Sequence, residues 1–281
     1  MHRLFHVSDL HFGCEDRGAM DWFRRCVVQE RPDAIAITGD LTMRARQREF
    51  AAACEWILSL DAPVTVEVGN HDLPYFNLVE RFADPYRRIR RIERLVEREI
   101  DLPGVSIVPL KTTARAQWRL DWSKGWVSRA ALAKTVALVA ALPDPRLVLI
   151  TAHHPLVEAN TRGSALTRGG ERALAALARA GATAVLTGHV HDPFDMMKMT
   201  DHGPIRMIGA GTMSRRLRST PPSFNELRIA DGQLEVRVRT LGEVPKSEML
   251  IDDIPPDADP PEPGDPVAPI GADGRRLRSA F

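Results

Sequence analysis

The chain is poor in cysteine, almost free of net charge, and without any apolar run long enough to cross a bilayer. Its three cysteines, Cys14, Cys26 and Cys54, form an odd set with no C-x-x-C spacing. This argues against a disulfide framework and against a thiolate metal site, and it suits a reducing compartment. With a net charge of +1 at pH 7, no global basic field points to nucleic acid or to an anionic membrane. The local run of Arg87, Arg88, Arg90, Arg91 and Arg94 reads as the solvated face of a helix. The first residues, Met1-His2-Arg3-Leu4-Phe5-His6-Val7, lack the apolar stretch and small-residue cleavage site of a secretory signal. No membrane insertion is expected, and the cytoplasm is the expected location.

What is present is an ordinary globule, 44% hydrophobic and 27% charged, long enough at 281 residues that burying a core is not limiting, so function must reside in sites. Five short β-branched or apolar segments recur: Leu4 to Val7, Ala34 to Thr38, Val64 to Val68, Leu147 to Ala152 and Ala184 to Thr187. Amphipathic stretches separate most of them, at Ala19 to Glu30, Arg46 to Ser59, Ser128 to Leu142 and Gly170 to Arg179. That alternation builds a sheet covered by helices. After His191 come four strand candidates with no helix between them, Phe194 to Met199, Pro204 to Ile208, Phe224 to Ile229 and Leu234 to Thr240, expected to form an antiparallel sheet. The pattern predicts an α/β fold, a four-layer α/β/β/α sandwich of two mixed sheets flanked by helices. Residues 1–249 are expected to form one domain. From about Ser247 proline, aspartate and glycine take over, so 250–281 is expected to be a disordered tail. The arginine-rich segment from Phe76 to Leu102 is expected to be an inserted helix near the site, placed to act as a lid.

Each of the five strands runs into metal-type residues: Ser8-Asp9-Leu10-His11, Gly39-Asp40-Leu41-Thr42, Gly69-Asn70-His71-Asp72, His153-His154-Pro155 and Gly188-His189-Val190-His191. In α/β sheets ligands bind at strand carboxyl ends. Asp9 with His11, and His189 with His191, are i, i+2 pairs, which on extended backbone place both side chains on one side of the chain, so that each pair clasps one ion. Asp40, with two oxygens, is the natural bridge between two cations; Asn70 offers an amide oxygen and His153 a neutral imidazole. Of the adjacent histidines, His153 is assigned as ligand and His154 as its support. His6 and His2 read as structural or incidental, and His202 as a turn residue. A single D-x-H or H-x-H is a chance event, and a lone aspartate after a strand commonly caps a turn. Five such strand ends in one order are not explained that way.

These blocks resemble the signature of the calcineurin-like metallophosphoesterase superfamily, and the likeness runs from residue 4 to about 192. By resemblance, Asp9, His11, Asp40 and His191 hold one metal, Asp40, Asn70, His153 and His189 the other, and His71 is the catalytic histidine. The phosphoprotein phosphatase branch carries G-D-x-x-D-R-G, whereas Met43 and Ala45 stand at two of those positions here. Ser8-Asp9-Leu10-His11-Phe12-Gly13 and Ser223-Phe224-Asn225 are similar to bacterial class III cyclic-nucleotide phosphodiesterases, many of which have an acidic residue near Met43.

The residues themselves fit the chemistry that this implies. A nitrogen and oxygen donor set without thiolate suits two divalent or trivalent ions such as Mn, Fe, Zn or Co. Two divalent ions against two carboxylates and a bridging hydroxide leave one positive charge, matching an anionic phosphodiester. His71 is the candidate general acid, with Asp72 orienting its ring. The expected substrate is a small phosphodiester, a 3′,5′-cyclic nucleotide among them, with nucleic acid entering only as substrate. The loop from Asn160 to Gly170, through Arg162 and Arg168, is a candidate contact for phosphate or base. Rival readings keep the same metals for a phosphomonoesterase, a nuclease or a lipid-linked phosphodiesterase, or make the chain a catalytically silent metal-binding scaffold.

Overall fold

Alternating side chains explain the layers. In β1 (His2–Val7), Phe5 and Val7 point one way and Leu4 the other, and β2 (Ala34–Ile37) splits likewise into Ile35 and Ile37 against Ala34 and Ala36. Every residue of β2 is buried, as expected of a parallel strand covered on both faces, which reads as a continuous apolar run. With β3 (Val64–Val66), β9 (Ser223–Ala230) and β10 (Gln233–Thr240), these strands form a five-stranded sheet in the order β10-β9-β1-β2-β3. Its outer face is covered by α1 (Arg17–Glu30), α2 (Gln47–Leu58) and α4 (Arg87–Val96) through Phe23, Phe50, Ile57, Ile89 and Ile92. Asp16 caps α1 by accepting from the Ala19 N–H at 3.1 Å, which offsets one unpaired helix-end donor.

The second sheet is ordered β4-β5-β6-β8-β7, from β4 (Val105–Pro109), β5 (Leu147–Thr151), β6 (Ala184–Thr187), β7 (Phe194–Thr200) and β8 (Gly203–Gly209). Its outer face packs on α5 (Arg129–Ala140) and α6 (Gly170–Arg179). Between the sheets lies a third apolar layer, in which Leu4, Ala34, Ala36 and Leu227 meet Leu147, Leu149, Leu186 and Ile208. The four-layer sandwich of two mixed sheets is therefore present. The computed structural model describes residues 1–74, 77–96, 100–114, 121, 123–143 and 147–243. The expected tail at 250–281 lies outside them. Among the described residues no helix is long and apolar enough to cross a membrane.

Two expectations need correction. The last four strands do not make one antiparallel sheet: β7 and β8 extend the second sheet, with β8 parallel to β6, while β9 and β10 extend the first, with β9 antiparallel to β1. Each hairpin has local turn signals, Asp201-His202 and the left-handed Asp231-Gly232. Such signals do not say which sheet a hairpin joins. The loop at 210–222 consequently crosses from one sheet to the other, and it passes over the strand ends. The segment expected to be a single inserted helix contains α3 (Leu78–Ala83) and α4, with Phe76 itself outside the described residues. Its arginines are largely the solvated face expected, and three of them are also ion-paired: Arg87 and the half-buried Arg88 reach Glu80 at 3.2 and 2.7 Å, and Arg90 pairs with Asp84.

Candidate metal centre

Just beyond the strand ends the backbone turns left-handed. Asp9 (φ 55°), His11 (47°), Asp40 (52°), His189 (71°) and His191 (62°) all have positive φ. An L residue there is strained by roughly 1 kcal/mol or more, and such strain persists only where surrounding structure holds it, commonly at functional sites. The extended backbone expected for the two i, i+2 pairs is thus absent. Asp9 and His11 nevertheless face one spot, His11 Nε2 being 3.6 Å from Asp9 Oδ1. His189 and His191 fall in different clusters of ligand-type atoms, His189 with His153 and His154, and His191 with Asp9 and His11.

Seven sequence-selected residues converge in two groups. In the first, His191 Nε2 lies 3.1 Å from Asp9 Oδ1 and 3.1 Å from His11 Nε2. In the second, the Asn70 amide oxygen is 3.1 Å from both His153 Nε2 and His189 Nδ1. Asp40 stands between: its Oδ2 is 3.4 Å from His153 Nε2 and 3.8 Å from His11 Nε2. Ligand-type atoms of Asp9, His11 and His191, of His11, Asp40 and His71, and of Asp9, Asp40 and His153 cluster closely enough to hold an ion. All of the seven except His189 are buried, and His189 is half-buried.

Whether these residues fit cations can be judged from their lone pairs. His153 Nδ1 donates to the Thr38 carbonyl at 2.8 Å and His191 Nδ1 to the Arg216 carbonyl at 2.6 Å. Each leaves Nε2 facing the site, the usual support of a metal-ligating histidine. When the rings are neutral, Nε2 of His153 then points a lone pair at the Asn70 oxygen, and Nε2 of His191 points one at Asp9. Asp9 Oδ1 is buried without a well-formed hydrogen bond, a cost of about 1–3 kcal/mol. Cations between these acceptors would resolve the conflict. The electrostatics agree. Burial alone would raise the Asp40 carboxyl, but His153, His71 and His11 pull it below the usual carboxylate range, and His191 and His11 do the same for Asp9. Burial would depress His153, yet Asp40 overrides it and lifts the imidazole to about 9. Burial, with His153 alongside, takes His189 down to about 3. The carboxylates thus draw protons onto neighbouring rings, the place that a cation takes when it binds.

His71, the predicted catalytic residue, donates through Nδ1 to the Met43 carbonyl at 2.8 Å, and its ring meets His11 edge-on at 4.9 Å. Asp72 does not serve as its orienting partner. The Asp72 carboxylate instead accepts from the backbone of Leu41 (3.2 Å), Thr42 (2.8 Å) and Gly69 (2.9 Å), fastening the turn after β2 to the turn after β3. Burial and the nearby Asp40 push its carboxyl up to about 7. His154 has both ring nitrogens engaged, at 2.9 Å from Thr112 Oγ1 and from the Ser123 carbonyl, which suits the supporting role. His6 is buried against Thr38 and Asn225. His2 opens β1, and His202 sits in the β7–β8 turn. The Arg168 guanidinium lies over the Trp126 ring, whereas Arg162 lines a cavity of about 320 Å³ with Asn160, Thr161, Asp192, Pro193, Ser219 and Thr220.

One residue escaped the sequence reading. Arg216, on the loop between the sheets, places Nη1 2.9 Å from His71 Nε2 and 3.5 Å from His11 Nε2. The available signal was the pair Arg215-Arg216 in a polar loop, which gains meaning only when the loop's path is known.

Two glycines set the close approach of strand ends. A Cβ on Gly188 would run into Ser8 Oγ and lie 2.5 Å from Asp9 Oδ2, and one on Gly69 would overlap Asp40. Gly188→Ala is expected to destabilise the fold by about 1–3 kcal/mol and to displace Asp9. Denaturant unfolding with metal analysis checks this. A variant as stable and as metal-replete as the parent would show that the turns yield freely.

Comparison with known proteins bears on this geometry. A family model described as calcineurin-like phosphoesterase matches residues 2–193. Among curated proteins no sequence matches the chain. Solved structures share the fold at low identity. A dimetal phosphatase from Danio rerio is 14% identical with a TM-score of 0.61, over 85% of this chain and 96% of its own. A purple acid phosphatase, PPD1, from yellow lupin is 13% identical with a TM-score of 0.61, over 85% of this chain and 51% of its own. GAP50, titled the anchor in the inner membrane complex of Plasmodium, is 12% identical with a TM-score of 0.57, over 85% and 84%.

Proposed function

The chain belongs to the calcineurin-like phosphoesterase family, and from that premise we propose that it is a hydrolase of small phosphate esters with two metal ions as cofactors, divalent or trivalent and drawn from Mn, Fe, Zn or Co. Asp9, His11, Asp40 and His191 hold one ion, and Asp40, Asn70, His153 and His189 the other. The observation that carries this is the position of Asp40 between two groups of inward-facing lone pairs. Two such ions supply an acidified water for in-line attack and neutralise charge on the phosphoryl oxygens.

The chain's own residues do the rest. Asp72 and the Thr38 carbonyl fix the turns that carry Asp40 and His153, so the groups are set before substrate arrives and no reorganisation is needed during reaction. His71 is the proton donor to the departing alkoxide in its doubly protonated form: Nδ1 donates to the Met43 carbonyl, and Nε2, towards the same space as Asp40, would give up its proton once the Arg216 guanidinium, 2.9 Å away, has turned to substrate. The three unpaired cysteines support a cytoplasmic setting.

The ligands alone leave one positive charge, which fits a phosphodiester such as a 3′,5′-cyclic nucleotide. One observation favours a phosphomonoester, the guanidinium of Arg216 beside His71. Loading the protein with each candidate metal and assaying bis(p-nitrophenyl) phosphate and p-nitrophenyl phosphate tests the reading. Turnover that needs added metal, stops with chelator and falls at least ~100-fold in Asn70→Ala is expected. Protein that holds two ions and cleaves neither ester would leave the scaffold reading in its place.

A further inference from the structure

The loop between the sheets is fastened on both sides of Arg216. Thr212 Oγ1 donates to the Asp9 carbonyl at 2.8 Å, and Ser214 Oγ accepts from the Arg216 N–H at 3.2 Å. Beyond it, the Asp192 carboxylate accepts from the Ser219 N–H at 2.8 Å and from the hydroxyls of Ser219 and Thr220 at 3.2 and 3.4 Å. The Arg216 carbonyl takes the His191 Nδ1 proton. This residue therefore has its backbone tied to two elements of the metal centre, the His191 ring and the loop that Thr212 fastens to Asp9.

The guanidinium is set among groups that do not neutralise it. Its partners are His71 Nε2, His11 Nε2 and, at 3.9 Å, Met43 Sδ, and among the described residues no carboxylate pairs with it. Arginine is charged at any working pH. Beside a space whose walls would hold cations, this positive charge would be repelled unless an anion lay between. We propose that Arg216 binds a non-bridging oxygen of the substrate phosphoryl group and tilts the site towards dianionic phosphate monoesters. This inference rests on the phosphoesterase reading above. Its charge argument is direct: the ligand count leaves one positive charge, the guanidinium makes two, and a phosphate monoester near pH 7 carries close to two negative charges where a diester carries one. Arginine's fork also matches two phosphoryl oxygens, of which a monoester offers more free than a diester.

The full-length, metal-loaded protein is assayed on p-nitrophenyl phosphate and bis(p-nitrophenyl) phosphate, with inorganic phosphate as inhibitor. Wild type is expected to favour the monoester in kcat/KM. Arg216→Ala is expected to lose ~100-fold on the monoester, the scale of removing one preorganised donor, and less than ~10-fold on the diester. Phosphate inhibition should weaken at least ~10-fold, with Arg216→Lys recovering part of it and both variants keeping two ions. Equal loss on both esters, no loss on either, or a wild-type preference for the diester overturns the proposal. If the wild type binds two ions and cleaves neither ester, the phosphoesterase reading fails instead. Calorimetry of inorganic phosphate on wild type and Arg216→Ala then decides the role of Arg216, since binding must weaken in the variant or the assignment falls.

Discussion

Asp40→Ala is expected to reduce hydrolysis of the preferred p-nitrophenyl ester by ~1000-fold or more and to lower the bound metal from two ions to one or none. The Asp40 carboxylate is the group that both ion positions share, at 3.4 Å from His153 and 3.8 Å from His11. Removing any other ligand spares one position, whereas removing this one takes a negative charge from both. A loss of several kcal/mol in charge stabilisation corresponds to at least three decades in rate. The carboxylate also accepts from the His71 N–H at 2.8 Å, so the catalytic histidine loses an anchor as well. Because Asp40 is buried in a left-handed turn, alanine could act by unfolding alone. Asp40→Asn answers that: it keeps shape and most hydrogen bonds but not the charge, and should fold, bind fewer ions and remain inactive. An Asp40→Asn protein with two ions and more than a tenth of wild-type activity would remove Asp40 from the bridging role.

Much of this site is legible in the sequence because strand periodicity and strand-end chemistry are both local. Phe5 and Leu4 lie one residue apart and enter different apolar layers, as period-2 alternation requires. The residues after each strand could be picked out by type, and all seven meet. What was not legible depends on chain path. The family resemblance divided His189 and His191 between two groups, whereas their i, i+2 spacing alone put them together; spacing misled because both residues have positive φ and not extended backbone, which residue type allows but spacing does not announce. The strand β4 was missed because Val105–Pro109 is a short edge segment ending in proline, where ladder hydrogen bonds matter least. Asp72 was taken for a partner of its neighbour His71 on sequence adjacency. Its carboxylate instead reaches back some thirty residues to Leu41 and Thr42. Arg216 needed knowledge that the loop after β8 returns over the first sheet, a crossing that no local signal encodes.

His71→Ala should separate chemistry from metal binding. The ring is anchored by donation from Nδ1 to the Met43 carbonyl, and Nε2, beside Arg216 Nη1 at 2.9 Å, is the nitrogen that faces substrate when the guanidinium takes up a phosphoryl oxygen. It is not needed to complete either ion's set, since Asp9, His11 and His191 on one side and Asn70, His153 and His189 on the other are joined by Asp40 without it. Two bound ions per chain are therefore expected in the variant, with kcat down ~100- to 10,000-fold, the usual worth of positioned proton transfer. The loss should shrink as the leaving group improves, because an alkoxide of low basicity needs little protonation. Esters spanning a range of leaving-group acidities, assayed in wild type and His71→Ala, measure this directly. A uniform loss across the series would assign His71 to holding charge or Arg216 in place, and the alkoxide proton would have to come from solvent. Loss of an ion in His71→Ala would make the residue a part of the metal centre itself, which its close neighbours His11 and Asp40 make the sharpest alternative to exclude.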